Sequence, residues 1–417
     1  MTHKKYISTS LTLSILIIVL MFSAPACSNQ SAINTNEDLA EYKEAKTSAI
    51  DIQASIAKPT FTTKTIATFN EPWAMTALPQ KNNESLKLLV TQKSGELLIV
   101  NTATGIKTAV TGVPEIAYGG QGGLGDIIVA PDFANSNIIY MSYVEAGKGT
   151  DSKKFGAKVI KAKLSGLDSQ SPSLQRIIPV WQQTPKVKGQ GHYSHRLLFS
   201  PDGRYLYISS GERQQKTPAQ DMSVNLGKIV RLNLDGSIPR DNPFADNLNT
   251  NTIAAQFWSI GHRNVLGMAF DNKGQLWAHE MGPRGGDELN LIKKGKNYGW
   301  PLVSNGRNYS GIDIPDHETR PEFEAPKITW TPVISPSSIS IYTADRHNDF
   351  PAWQNNALIS GLSSKALIVV DFDDNNVASE RYRYDMGERI RSVLSMDGEV
   401  WLLEDGSEGR LLQLLPK

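Results

Sequence analysis

Three stretches of the 417-residue chain hold more histidine, arginine and glycine than structural turns need. They are Gly189-Gln190-Gly191-His192-Tyr193-Ser194-His195-Arg196, Gly261-His262-Arg263-Asn264, and His279-Glu280-Met281-Gly282-Pro283-Arg284-Gly285-Gly286-Asp287-Glu288. The third leads into Asn297-Tyr298-Gly299-Trp300-Pro301. An imidazole with an ordinary pKa of about 6.5 can take a proton near neutral pH. A guanidinium stabilises developing negative charge, and glycine lets a ligand approach the backbone. Read alone, each has a commoner use. A histidine between glycines is more often a solvated loop residue, an arginine a surface ion-pair partner, and Gly-Pro a plain turn. A fourth stretch, Gly120-Gln121-Gly122-Gly123-Leu124-Gly125, fits the dinucleotide fingerprint letter for letter. That fingerprint works where a strand feeds a helix. Here the glycines run into Asp126-Ile127-Ile128-Val129-Ala130-Pro131, a strand ended by proline. The chain has no P-loop, His-Glu-x-x-His or EF-hand loop.

The elements that must position these loops are strands. From Phe61 onward no long 3.6-residue stripe is present; short apolar runs alternate with Gly/Asp/Asn/Pro turns. Leu88-Leu89-Val90-Thr91 and Glu96-Leu97-Leu98-Ile99-Val100 flank a Lys93-Ser94-Gly95 turn, as in a hairpin. A turn followed by an aliphatic–aromatic pair recurs at Asp132…Tyr140, Asp202…Tyr207, Asp271…Trp277 and Asp397…Trp401. These aspartates are 70, 69 and 126 residues apart, the last about two periods. One period holds four strands and their turns, which is one propeller blade. Residues 61–417 therefore predict a single all-β domain, a six-bladed β-propeller of four-stranded antiparallel blades. Its loops gather at one end of a central channel. A double β-sandwich does not predict so long a repeat.

Composition narrows the function classes. With 43 Lys+Arg against 42 Asp+Glu, the chain lacks the basic footprint of a nucleic-acid binder. One cysteine excludes an intrachain disulfide, a Cys-based zinc site and c-type haem attachment. Residues 1–26 read as a secretory signal, with Lys4 and Lys5 before an apolar run of about a dozen residues, short of the ~20 needed to span a membrane. Cys27 follows directly, as in a bacterial lipobox, although Ala24 and Pro25 depart from that pattern; plain cleavage near Ala26 is the alternative. The preferred expectation is a lipoprotein whose body faces the periplasm, sorted to the outer membrane and touching the membrane only through Cys27. Residues 27–60, polar with a weak helical tendency over Asp38–Ala57, are expected to form a tether.

At the glycine- and arginine-rich loops the chain closely resembles the soluble pyrroloquinoline-quinone-dependent aldose sugar dehydrogenases of the glucose/sorbosone dehydrogenase family. The matching stretches are GQGGLGDIIVAPDF, AQDMSVNLGKIVRLNLDGSIPRDNPF, GHRNVLGMAF, GPRGGDELNLIKKGKNYGWP and ERIRSV, spread across residues 61 to 417. The resemblance implies a six-bladed propeller that holds pyrroloquinoline quinone (PQQ) and a Ca²⁺ ion at the channel mouth and oxidises an aldose.

The resemblance also implies roles. His192 matches the base that takes the proton from the sugar C1 hydroxyl as hydride passes to the quinone. Arg263 and Asn264 match quinone contacts, Arg263 also stabilising charge during reduction, and Gln121 matches a residue lining the same site. Gly282 and Pro283 match positions whose carbonyls coordinate calcium, a hard ion that favours oxygen donors. Arg389 and Arg391 match a pair that grips the cofactor; their i, i+2 spacing sets both on one strand face. Two departures stand out. Tyr193-Ser194-His195 replaces smaller residues after the base, so His195 competes with His192 for the role; on an extended strand only one of the two could face the channel. Ser363 stands where the family has a cofactor lysine, and Lys365, two residues on, is the expected substitute. Two other classes of function remain: a calcium-dependent propeller lactonase, which needs inward carboxylate ligands, and a non-catalytic propeller binding glycan or protein. The aldose preferred, the downstream electron acceptor and the oligomeric state are not legible in the sequence.

Overall fold

The structure is a computed structural model and describes residues 57–80, 84–245, 252–344 and 347–417. The signal, Cys27 and most of the tether lie outside the described residues. Among the described residues twenty-four strands form six four-stranded antiparallel sheets, and no helix is long and apolar enough to cross a membrane. The innermost strands are Pro72–Ala77, Leu124–Val129, Ser194–Phe199, Val265–Phe270, Pro336–Ile341 and Ile390–Met396. Each packs beside the next, and Ile390–Met396 packs beside Pro72–Ala77, so the six blades close a ring. The expected six-bladed propeller is what the chain forms.

Blades stack face to face, so their inner strands are covered on both sides. This is why they read as continuous apolar runs and not as an alternation: Leu88, Leu89 and Val90, or Leu367, Ile368, Val369 and Val370, are all fully buried. The aspartate turns join the first strand to the second in blades two, three, four and six. Asp271 illustrates their chemistry: Oδ1 accepts the N–H groups of Lys273 (2.9 Å) and Gln275 (2.8 Å), and Oδ2 accepts the Trp277 indole N–H (2.8 Å). One carboxylate thus ties the turn and fixes the buried aromatic that follows. Blade five joins its first two strands by a different loop, which accounts for the doubled spacing of 126.

One feature of the closure lies beyond the repeat. Phe61–Phe69 starts no blade; it pairs antiparallel with Gly409–Pro416 as the outer strand of blade six. The two ends of the chain's strand ladder therefore share one sheet, which ties the ring shut.

Candidate active site

Antiparallel strands alternate direction, so the start of each blade's first strand and the end of its second meet at the same end of the ring. The glycine- and arginine-rich loops lie at this end, opposite the aspartate turns. Two cavities open there. One of about 390 Å³ is lined by Trp73 and Lys93 from blade one, Gln121 from blade two, Tyr193, Ser194 and His195 from blade three, and Asn264 from blade four. Leu362 from blade five and Arg389, Arg391 and Asp405 from blade six complete it. The other, of about 250 Å³, is lined by His192, Glu212, Lys216, Arg263, Pro283, Trp300 and the 308–310 loop. The candidate residues thus fall into two groups. Gln121, Asn264, Arg389 and Arg391 share the first cavity, while His192, Arg263 and Pro283 share the second.

The groups are bonded to each other. The His192 backbone N–H donates to Gln121 Oε1 at 2.7 Å, and Arg263 and Asn264 are neighbours on the loop before Val265–Phe270. His192 Nδ1 lies 2.5 Å from Glu212 Oε1. A carboxylate can only accept, so Nδ1 carries a proton in this contact, and in the neutral ring Nε2 keeps its lone pair. Burial lowers the imidazole pKa; the Glu212 hydrogen bond opposes the change, Arg263 adds to it, and the balance lies below the ordinary value. His192 is therefore neutral at neutral pH, as a base must be.

Backbone shape decides the question of the two histidines. The segment is not extended: φ is +48° at His192, +57° at Ser194 and +56° at His195. The expectation that only one of them could face the channel rested on extended geometry and is corrected: both line cavities, though different ones. Arg213 holds the loop in this shape, donating to the carbonyls of Gly191 (2.8 Å), Gly189 (2.6 Å) and Phe155 (2.5 Å) while its guanidinium stacks 3.7 Å from the Tyr193 ring. His195 stacks on Trp73, ring centroids 4.9 Å apart, with Nδ1 2.8 Å from Ser142 Oγ. Burial, with nearby Arg196 and Arg213, brings its pKa down to about 3. Its ring fits because residue 125 is glycine; a Cβ there would lie 1.9 Å from His195 Cε1.

Arg263 is buried, donating from Nη1 to the Met281 carbonyl (2.9 Å) and facing the Trp300 ring at 5.3 Å. Its Nε–H is buried without an acceptor, and among the described residues it makes no ion pair. A buried cation in this condition fits an anionic ligand. The loop is held by Glu280, whose carboxylate accepts from Arg263 N (2.6 Å) and contacts His262 Nδ1 (2.9 Å).

Arg389 and Arg391 turn to the same side, as their spacing requires, and both pair with Asp405: Arg389 Nε to Oδ2 at 2.8 Å, Arg391 Nη2 to Oδ1 at 2.7 Å. Burial works against charge on Asp405, but Arg391 and Arg389 together hold its carboxyl below the usual value. Lys365 is not brought to either cavity. Its Nζ donates to the Gly387 carbonyl at 2.9 Å and lies 3.7 Å from Glu388 Oε2. Ser363 is exposed and donates to the Val333 carbonyl at 3.2 Å.

Gly282 and Pro283 border a small space of about 10 Å³, room for a single water or ion, together with Glu280 and Glu288. Glu288 is buried beside Glu280 and takes a hydrogen bond from Asn290 Nδ2 at 3.2 Å. Burial first, then the Glu280 charge, raises its pKa well above the carboxylate range. Two crowded acidic side chains next to carbonyl oxygens fit a hard cation. Among the described residues no three His, Cys, Asp or Glu side chains converge on a point, so carbonyls would supply the remaining ligands.

Glu212, Asp405, Trp73 and Lys93 were not legible as site residues. Each sits beside a strand end whose sequence reads as ordinary: Lys93 in a hairpin turn, Asp405 before glycine, Glu212 after Gly211. The missed signal is topological. The turn after the second strand supplies cavity residues in blades one, four, five and six, namely Lys93, Met281, Leu362 and Asp405.

Comparison with known proteins shows the family and the fold. The family model described as Glucose / Sorbosone dehydrogenase matches residues 69–413. The aldose sugar dehydrogenase YliI of Escherichia coli strain K12 is 39% identical over 353 residues, spanning 84% of this chain and 91% of that protein. Among solved structures, the soluble aldose sugar dehydrogenase of Escherichia coli in its apo form has 37% identity and a TM-score of 0.76, over 86% of this chain and 100% of that one. The PQQ-bound aldose sugar dehydrogenase of Streptomyces coelicolor has 28% identity and a TM-score of 0.68, over 86% and 99%.

Proposed function

The chain belongs to the glucose/sorbosone dehydrogenase family, and from that premise we propose that it oxidises the C1 hydroxyl of aldose sugars to the lactone, using PQQ and Ca²⁺. The observation that carries this reading is one cavity in which a neutral imidazole, aligned by a carboxylate, shares the wall with a buried arginine whose Nε–H has no acceptor and which, among the described residues, makes no ion pair. When bound, PQQ would supply a hydride acceptor and Ca²⁺ a Lewis acid. The chain's own residues do the rest. His192 Nε2 takes the hydroxyl proton, and Glu212 keeps Nδ1 protonated and stabilises the imidazolium that results. Arg263 offers its unmet donor to negative charge. Gln121 and Asn264 present amides at the first cavity, and Gly282, Pro283 and Glu288 offer oxygens to the cation.

The direct test is to reconstitute the purified protein with PQQ and Ca²⁺ and follow sugar-dependent dye reduction. Activity that requires sugar, quinone and Ca²⁺ together, and that chelation removes, is the expected result. Full activity in excess chelator would remove Ca²⁺ from the reading. Lactone hydrolysis without quinone would replace the reading with a hydrolase.

The pH profile gives a second expectation. Neutral His192 is the active form, so kcat/KM holds above its lowered pKa and falls as pH drops through it. Glu212 raises that pKa, so Glu212→Gln moves the acid limb to lower pH. It also cuts kcat by about 10–100-fold, the scale on which removing a histidine's orienting partner acts at metal sites. An acid limb that stays put in this variant would mean Glu212 does not set the His192 charge.

A further inference from the structure

We propose that Lys93, from the second-to-third-strand turn of blade one, supplies the ammonium that Ser363 leaves missing at the cofactor cavity, and that Lys365 does not. The inference rests on the quinone reading above. Ser363 and Lys93 belong to the same turn of their respective blades, the turn that reaches the cavity. At Ser363 the turn carries no charge, and Lys365 is held on the outside by the Gly387 carbonyl. Lys93 lines the cavity, its side chain only 15% exposed, with Nζ 3.2 Å from Glu71 Oε1. Glu71 lines the same wall and is also hydrogen-bonded by the Tyr118 hydroxyl.

The turn is built into the ring. Lys93 N–H donates to the Glu71 carbonyl at 3.0 Å, and the Lys93 carbonyl accepts Leu124 N–H at 3.1 Å. Gly123, at φ +141°, is what allows that approach: a Cβ there would lie 2.3 Å from the Lys93 carbonyl oxygen. This gives a purpose to a glycine of the dinucleotide-like stretch, which packs one cavity loop against another. Glu71 N–H in turn donates to the Gly406 carbonyl at 2.8 Å, which sets the Lys93 wall beside the Asp405 turn of blade six. Lys93, Arg389 and Arg391 therefore border one cavity, three cations against the two carboxylates Glu71 and Asp405. The excess positive charge, and the two carboxylates already paired with it, describe a cradle in which a ligand carboxylate replaces an internal partner.

The test measures PQQ binding in the presence of Ca²⁺ by calorimetry, independent of turnover, in four variants. Lys93→Met should weaken binding roughly 10- to 100-fold, the worth of one charged hydrogen bond, and Lys93→Arg should restore most of it. Lys365→Met should bind as the natural protein does. Glu71→Gln, which frees the ammonium, should bind equally or more tightly. Equal weakening in Lys93→Met and Glu71→Gln would mean that the pair only props the wall, and would overturn the proposal. So would unchanged binding in Lys93→Met, or a loss in Lys365→Met. Absence of PQQ binding by the natural protein would overturn this proposal and the quinone reading together, whereas tight binding by it and by Lys93→Met alike would overturn this one alone.

Discussion

His192→Ala should lower kcat for aldose oxidation by about 10²–10⁴, the usual cost of removing a general base, while PQQ affinity stays within a few-fold. The separation follows from position. His192 lines the smaller cavity with Glu212 and Arg263, whereas Arg389, Arg391, Asn264 and Gln121 line the larger one. The imidazole is neutral and its Nδ1 is engaged, so only Nε2 is left for chemistry. His195→Ala should behave differently. Its ring is stacked on Trp73 and tied to Ser142, so its loss reshapes the floor of the larger cavity and acts on KM and cofactor affinity. Stopped-flow quinone reduction separates the two variants. An exchange of phenotypes between them would move the base to His195, and would mean that the Glu212 contact is structural.

Arg196→Met should cost about 3–5 kcal/mol of stability, the range for stripping one partner from a buried ion pair, read as a shift in the denaturant midpoint. Arg196 leaves blade three and binds four other blades at the channel axis. Nε donates to the Leu266 carbonyl (2.7 Å), Nη2 to the Ser337 carbonyl (2.7 Å) and Nη1 to Asp126 Oδ1 (3.2 Å), and the guanidinium lies 3.9 Å from the Trp73 ring. Removing it strands Asp126, whose pKa burial already raises against the pull of Arg196. Adding Asp126→Asn to Arg196→Met should recover part of the loss, because the two residues share one interaction. A midpoint unchanged in Arg196→Met would show that the inner strands hold the ring without this tie.

Much of this molecule is written locally. Strand length, turn chemistry and the 69- or 70-residue period depend on neighbours within a blade. Asp271 fixing its own turn and Trp277 is a contact of six residues' reach. Such contacts recur, so the repeat and the six-bladed propeller could be read from the sequence alone. The loops with histidine, arginine and glycine could be read too, because a propeller gathers its loops at channel ends. What the sequence could not determine is whatever depends on closing the ring. Phe61–Phe69 joins Gly409–Pro416 across nearly the whole chain, and no local pattern marks an outer strand borrowed from the far end. The histidines' directions depend on positive φ values that Arg213 enforces from twenty residues away. Lys365 and Lys93 carry the same charge in similar turns, but one meets a carbonyl on the outside and the other a carboxylate inside the cavity. Charge pairing across blades is set by the distances between strands that only closure brings together, and tertiary structure alone decides it.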